Sequence, residues 1–156
     1  LSWKAREYGF HTSMIESSMM INDRMPEYTV ERAGKILNRC KKPLNGSKVL
    51  ILGVAYKADI DDYRESPAIH VINEFKRFGT EVSYFDPYIP SFREHGEEMV
   101  GLAEISPEIL AGFDLVCITT GHTNVDYEMV CNAGVPVFDC RNITKNVANR
   151  ENIELL

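Results

Sequence analysis

Residues 48–53, Lys-Val-Leu-Ile-Leu-Gly, form the most apolar run in the sequence, and a loop dense in charge (Lys57, Asp59, Asp61, Asp62, Arg64, Glu65) follows almost at once. A strand with no polar face has to be covered on both sides, which is the condition of a central strand in a parallel sheet. The uncharged stretch around it, residues 49–56, falls far short of the ~20 residues needed to cross a bilayer. It reads as a buried strand, and no membrane partner is expected.

The rest of the chain after Lys48 fits that frame. Short apolar runs at residues 81–86, 114–119 and 136–139, with a weaker one at 99–103, alternate with helical segments, so five strands are expected. Ser66-Pro67 opens a helix with a cap and a first-turn proline; Ala68, Ile69, Ile72 and Phe75 are its buried stripe, and Gly79 closes it. Ser106-Pro107 opens a second helix that ends at Gly112, and a short helix at 126–133 precedes the last strand. Right-handed crossovers then give an α/β fold: a doubly wound, Rossmann-like, mostly parallel five-stranded sheet with helices on both faces. Ligands in such folds bind outside the carboxyl ends of the strands where the winding reverses. If the first strand is central, the loops at that point are 54–65, 120–125 and 140–144.

Ahead of the sheet lie connector helices. Gly9 suits the left-handed residue that closes one, Ser13-Met14-Ile15-Glu16 has the spacing of a capping box for the next, and Pro26 opens a third with Val30, Ala33, Gly34 and Leu37 on one face. We expect residues 1–26 to be part of a helical connector and 27–156 to be the sheet domain. The sequence begins at Leu1 without an initiator Met, and a fragment of a longer protein is expected.

Composition narrows the function. Seventeen Lys and Arg against 23 Asp and Glu leave a net charge of −6, with no basic cluster longer than Lys41-Lys42, so no nucleic-acid partner is expected. Cys40, Cys117, Cys131 and Cys140 show no C-x-x-C pair and no zinc spacing; buried structural thiols in a cytoplasmic protein, and no metal site, are the reading. In Gly53-Val54-Ala55-Tyr56-Lys57-Ala58, the place of a G-x-G-x-x-G fingerprint, Ala55 and Ala58 occupy the second and third glycine positions. A methyl group there obstructs a pyrophosphate, and the following helix starts too late, so an independent NAD site is rejected. The charges that follow suit an anion instead: Lys57 lies just past the strand, and Arg64 has the planar fork that matches phosphate, with the neighbouring carboxylates expected to hold both cations. A merely solvated charged loop is the alternative.

The segment Gly53-Val54-Ala55-Tyr56-Lys57-Ala58-Asp59-Ile60-Asp61-Asp62-Tyr63-Arg64-Glu65-Ser66-Pro67-Ala68 resembles the hallmark of the C-terminal, UDP-binding domain of the UDP-glucose/GDP-mannose dehydrogenase family, the nucleotide-sugar 6-dehydrogenases. Asp86-Pro87-Tyr88-Ile89-Pro90 and Phe138-Asp139-Cys140-Arg141-Asn142 resemble the family's later motifs, and Trp3-Lys4-Ala5-Arg6-Glu7 with Ile21-Asn22 resembles its central helical segment. The resemblance, closest to the N-acetylhexosamine branch, implies an NAD-dependent oxidoreductase of polysaccharide biosynthesis that oxidises the C6 alcohol of a UDP-sugar to a carboxylate through a catalytic cysteine. It also implies that the cysteine and the NAD-binding domain lie upstream of Leu1, that this fragment alone is inactive, and that the full-length protein is a homodimer.

By position, Tyr56, Lys57 and Arg141 resemble substrate-binding residues, Lys57 being the phosphate cation, and Arg64 resembles a residue that reaches the NAD cofactor. No catalytic residue is assigned within the chain. Each role has a structural alternative: Tyr56 as a packed aromatic, Arg141 paired with Asp139, Arg64 paired with Glu65 or Asp62. His122, on a switch-point loop and either a phosphate or base ligand or an incidental exposed histidine, and Asp86, either a ribose-binding acid or a turn residue, are left without a role. The competing function is a non-catalytic doubly wound module for nucleotide sensing or protein interaction.

Overall fold

The computed structural model describes residues 2–156. Three helices come first: α1 (Ser2–Glu7), α2 (Ser13–Asp23) and α3 (Met25–Arg39). Gly9, at φ +75°, closes α1 as expected. The capping box at Ser13 does not form. Thr12 is the cap residue and Ser13 is already helical, so Glu16 lies four positions from the cap, where its own N–H bonds the Thr12 carbonyl and its carboxylate pairs with Arg6 at 2.9 Å. No side chain of α2 is buried, whereas α3 buries Val30, Ala33, Ile36 and Leu37.

The domain continues with β1 (Lys48–Leu52), α4 (Pro67–Arg77), β2 (Glu81–Phe85), β3 (Ser91–Glu94), β4 (Glu97–Val100), α5 (Pro107–Leu110), β5 (Leu115–Ile118), α6 (Tyr127–Asn132), β6 (Val137–Asp139), a 3₁₀ turn (Ile143–Asn146) and β7 (Ile153–Leu155). The main sheet has the order β2-β1-β5-β6-β7, with every pairing parallel. Alternation along β1 divides the core. Val49 and Ile51 face the α3 and α4 side with Leu37, Ile72 and Phe75, while Leu50 and Leu52 face the α5 and α6 side with Leu110, Val130 and Cys131. This is the two-sided burial that the apolar run demands. Ser66 caps α4, its hydroxyl accepting from the Ala68 N–H at 3.3 Å.

One of the five expected strands is misplaced. Residues 99–103 do not join the sheet; Val100 and Met99 pair antiparallel with Ser91 and Phe92 in a separate β3–β4 ribbon. The connection is a two-residue turn, His95 at φ +50° and Gly96 at φ +87°, which suits the twist of a hairpin. The fifth place is filled by β7, beyond the last strand read from the sequence. It is only three residues long and lies at the sheet edge, where Arg32 of α3 bonds Glu154 at 2.9 Å.

Candidate functional site

Because the chain leaves β1 toward β2 on one side and returns to β5 on the other, the winding reverses between β1 and β5. A cleft of about 740 Å³ opens there, walled by all three loops expected from the sequence and closed on a fourth side by the α2–α3 junction at Asn22 and Met25.

The β1 loop is built from the strand end outward. Gly53 takes φ +89°, and a side chain at that position would collide with the Thr120 backbone, so β1 and β5 diverge only where glycine permits. The next two amides, of Val54 and Ala55, both donate to Asp86 Oδ2, at 2.7 and 2.9 Å. The Ala55 carbonyl accepts from the Thr120 hydroxyl at 2.6 Å, and the Tyr56 N–H donates to the Asp62 carbonyl at 2.8 Å. This loop is therefore a fixed structure with its backbone polar groups engaged.

On it, Tyr56 is half exposed, and the Lys57 ammonium stands 5.6 Å from the centre of the Tyr56 ring, in cation–π range. Arg141 faces the same cleft from the β6 loop. Its backbone N–H, not its guanidinium, meets Asp139, at 2.8 Å. Among the described residues no hydrogen bond or salt bridge engages the Lys57 ammonium or the Arg141 guanidinium. Two free cations thus look into one cleft from opposite walls, an arrangement suited to an anion with separated charges.

Arg64 is placed differently. It does not line the cleft, and its guanidinium is held by Asp62 in a two-pronged pair, Nε to Oδ1 and Nη2 to Oδ2, both at 2.9 Å. That pair, with the Arg64 N–H, brings the Asp62 carboxyl down to about 2. The carboxylates expected to hold both cations hold only this one. Asp59 instead accepts the Thr123 N–H at 2.8 Å, and that bond lowers its carboxyl below the ordinary value.

The residues left without a role prove central. His122 is buried, not exposed: Nε2 lies 3.0 Å from Asp86 Oδ2, and Nδ1 accepts the Asp59 N–H at 3.0 Å. Asp86 is a turn residue, its Oδ1 accepting from Tyr88 and Ile89, and at the same time the hub of the β1 loop. The sequence places His122 on a switch-point loop and Asp86 at the end of the second strand but holds no signal that they meet, since they are 36 positions apart.

Of the four thiols expected to be buried, Cys117 and Cys131 are buried and Cys140 is half-buried, whereas Cys40, at the end of α3, is exposed. Cys117 and Cys140 share a hydrogen bond across 3.8 Å, and that bond together with burial holds the Cys117 pKa well above the ordinary thiol value; burial first, then the charges of Asp139 and Glu128, push Cys131 up to about 11.

The sequence profile of the UDP-glucose/GDP-mannose dehydrogenase family, UDP binding domain, matches residues 50–146. The chain belongs to this family. A UDP-N-acetyl-D-mannosamine dehydrogenase of Methanocaldococcus jannaschii is 33% identical over 153 residues, 96% of this chain and 33% of that protein. A UDP-N-acetyl-D-glucosamine 6-dehydrogenase of Pseudomonas aeruginosa is 23% identical over 79% of this chain and 29% of its own length. The solved UDP-D-ManNAc dehydrogenase of Pyrococcus horikoshii superposes with a TM-score of 0.77 at 23% identity, over 97% of this chain and 35% of that one, and shares the fold. The chain thus spans about a third of the length of the relatives it matches. The matched residues include the last three of β1, the whole charged loop and Arg141.

Proposed function

We propose that this chain is the substrate-binding domain of an NAD-dependent nucleotide-sugar 6-dehydrogenase that oxidises the C6 alcohol of a UDP-sugar to a carboxylate. The observation that carries the reading is the pair of unpartnered cations, Lys57 and Arg141, on opposite walls of the switch-point cleft in a chain of this family. A diphosphate presents anionic oxygens on two linked centres, and each cation can meet one without giving up a protein partner. Tyr56, half exposed beside Lys57, offers a ring face to the nucleotide or sugar. Relatives named for UDP-N-acetyl-D-mannosamine and UDP-N-acetyl-D-glucosamine favour an N-acetylhexosamine on the UDP.

The chain's own residues do not fit NAD at the β1 turn. The Val54 and Ala55 amides that would face a pyrophosphate are spent on Asp86, Ala55 carries a buried methyl group, and α4 starts only at Pro67. In the proposed enzyme NAD binds on another segment, and Arg64, on the exposed rim, is the residue of this chain assigned to reach it once released by Asp62. The catalytic cysteine is likewise placed outside the chain, so this piece binds substrate without turning it over. Residues 1–26 are assigned to a connector that pairs two subunits, a role supported by the exposed Trp3, Met14, Met19 and Ile21. Among the described residues no helix is long and apolar enough to cross a membrane, and we place the enzyme in the cytoplasm.

Calorimetric titration of the chain with UDP and with a UDP-N-acetylhexosamine tests the site. Removing a charge-assisted contact costs roughly 1.5–3 kcal/mol, so Lys57→Ala and Arg141→Ala should each weaken UDP by more than about tenfold. Unchanged affinity in both variants refutes the assignment.

A further inference from the structure

We propose that His122 is the positioning residue of the cleft: by holding the Asp59 amide from behind, it fixes the Tyr56–Lys57 turn in the geometry that meets the diphosphate, a role that rests on the reading of the cleft given above. Its hydrogen bonds define its state. The Asp59 N–H is a donor, so Nδ1, 3.0 Å away, carries no proton; the ring proton is on Nε2, which donates to Asp86 Oδ2 at 3.0 Å. The neutral imidazole is thereby a two-ended link, joining the carboxyl end of β2 to the β1 loop from its seat on the β5 loop.

Asp59 is held twice, by His122 at its N–H and by Thr123 at its Oδ1. It needs to be, because it stands at φ +61°, a left-handed conformation that side-chain-bearing residues adopt at a cost and keep only when their surroundings fix it. Lys57 lies two residues before it, with no hydrogen bond of its own to a protein acceptor among the described residues. The cation that would meet phosphate is therefore aimed through its backbone, and the nearest fixed point on its downstream side is the Asp59 amide. The His122 ring, with only 1% of the residue exposed, packs against Tyr88 at 5.1 Å between centroids and does not line the cleft. It touches no ligand itself and acts on one through the loop it holds, most directly at Asp59.

The two ring nitrogens can be separated by substitution. In His122→Asn the amide oxygen takes the place of Nδ1 and still accepts from Asp59, while contact with Asp86 is lost. In His122→Gln the amide nitrogen reaches the place of Nε2 and still donates to Asp86, while nothing accepts from Asp59. Both variants remove part of a buried network and should lower the urea midpoint. Only the Gln variant should release the turn, with faster hydrogen exchange at the Asp59 amide and UDP affinity weakened about three- to tenfold, the scale of one hydrogen bond. The Asn variant should match the wild type in exchange and in affinity. Equal damage in both variants, or a Gln variant with wild-type exchange, overturns the proposal. Should either variant fail to fold, ¹⁵N spectra of the wild-type ring decide it: a protonated Nδ1 is incompatible with the role. If the wild-type chain does not bind UDP at all, the reading of the cleft falls, whereas the exchange measurements still report whether His122 holds the turn.

Discussion

Two buried carboxylates, Asp86 at the end of β2 and Asp139 at the end of β6, flank the cleft and do the same local work in different ways. Each caps the turn that follows its strand. Asp139 accepts the Arg141 and Thr144 amides and the Thr144 hydroxyl, all within five residues. Asp86 makes the equivalent local bonds to Tyr88 and Ile89 and then adds three from afar, Val54, Ala55 and His122, at separations of 32, 31 and 36 residues. One wall of the site is thus a self-contained turn, and the other is a junction of three strand ends. A contact set that closes within five residues needs no tertiary structure to explain it; one that converges from three elements exists only after the sheet has formed.

Asp86→Ala should separate the two walls most sharply. It strands four backbone donors and the His122 Nε2–H, and since each buried donor left without a partner costs about 1–3 kcal/mol, the loss in urea unfolding should be at least about 3 kcal/mol. Asp139→Ala strands one buried amide, that of Thr144, while the part-buried Arg141 amide can turn to water and the Thr144 hydroxyl can rotate toward another acceptor, and should cost about 1–3 kcal/mol. An Asp139 loss equal to that of Asp86 would erase the distinction between the walls. The same variants have a second readout. Arg141 is aimed by a turn that Asp139 holds, so Asp139→Ala should lower UDP affinity while leaving exchange at the Asp59 amide untouched.

The contrast also explains what was legible in the sequence. The caps at Ser66 and Ser106, the closing Gly79 and the apolar β1 were readable because each is decided by residues a few positions apart. The switch point followed from the central placement of β1, and with it all three cleft loops. The Asp139 turn lies in a motif that the sequence offered for Arg141, and the alternative weighed there, an Arg141–Asp139 contact, is made by the backbone, which leaves the guanidinium free. His122 and Asp59 were opaque because their bond spans 63 residues, and a polar loop gives no sign of which of its side chains turns inward. The edge strand β7 was missed for another reason: three residues do not establish a period.

A gentler way to probe the junction is pH. The Asp59 carboxyl is lowered from its ordinary 3.8, first by the Thr123 N–H bond. For a depressed acid the sign is fixed: the anchor is at full strength above the unfolded value and is lost as pH falls through the lower folded one. Acidification below 3.8 should therefore lower the protection of the Thr123 amide, its exchange taken relative to that of an unfolded chain at the same pH, before the sheet amides respond. Synchronous release of both would mean that the anchor has no separate existence.

The smallest effect belongs to a carboxylate that uses the same kind of bond in open solvent. Asp62 accepts from the Arg64 N–H and guanidinium, yet the Arg64 side chain is 83% exposed, so water replaces whatever is removed. Arg64→Ala should leave both the urea midpoint at neutral pH and the UDP affinity of this chain unchanged, because the residue neither supports the loop's buried bonds nor lines the cleft. It should still be visible in one place. With the guanidinium gone, the Asp62 carboxyl should climb from about 2 toward its ordinary 3.8, read by ¹³C titration. A fall in UDP affinity would instead place Arg64 at the substrate, and the division between a diphosphate grip at Lys57 and Arg141 and a rim residue turned toward NAD would have to be redrawn.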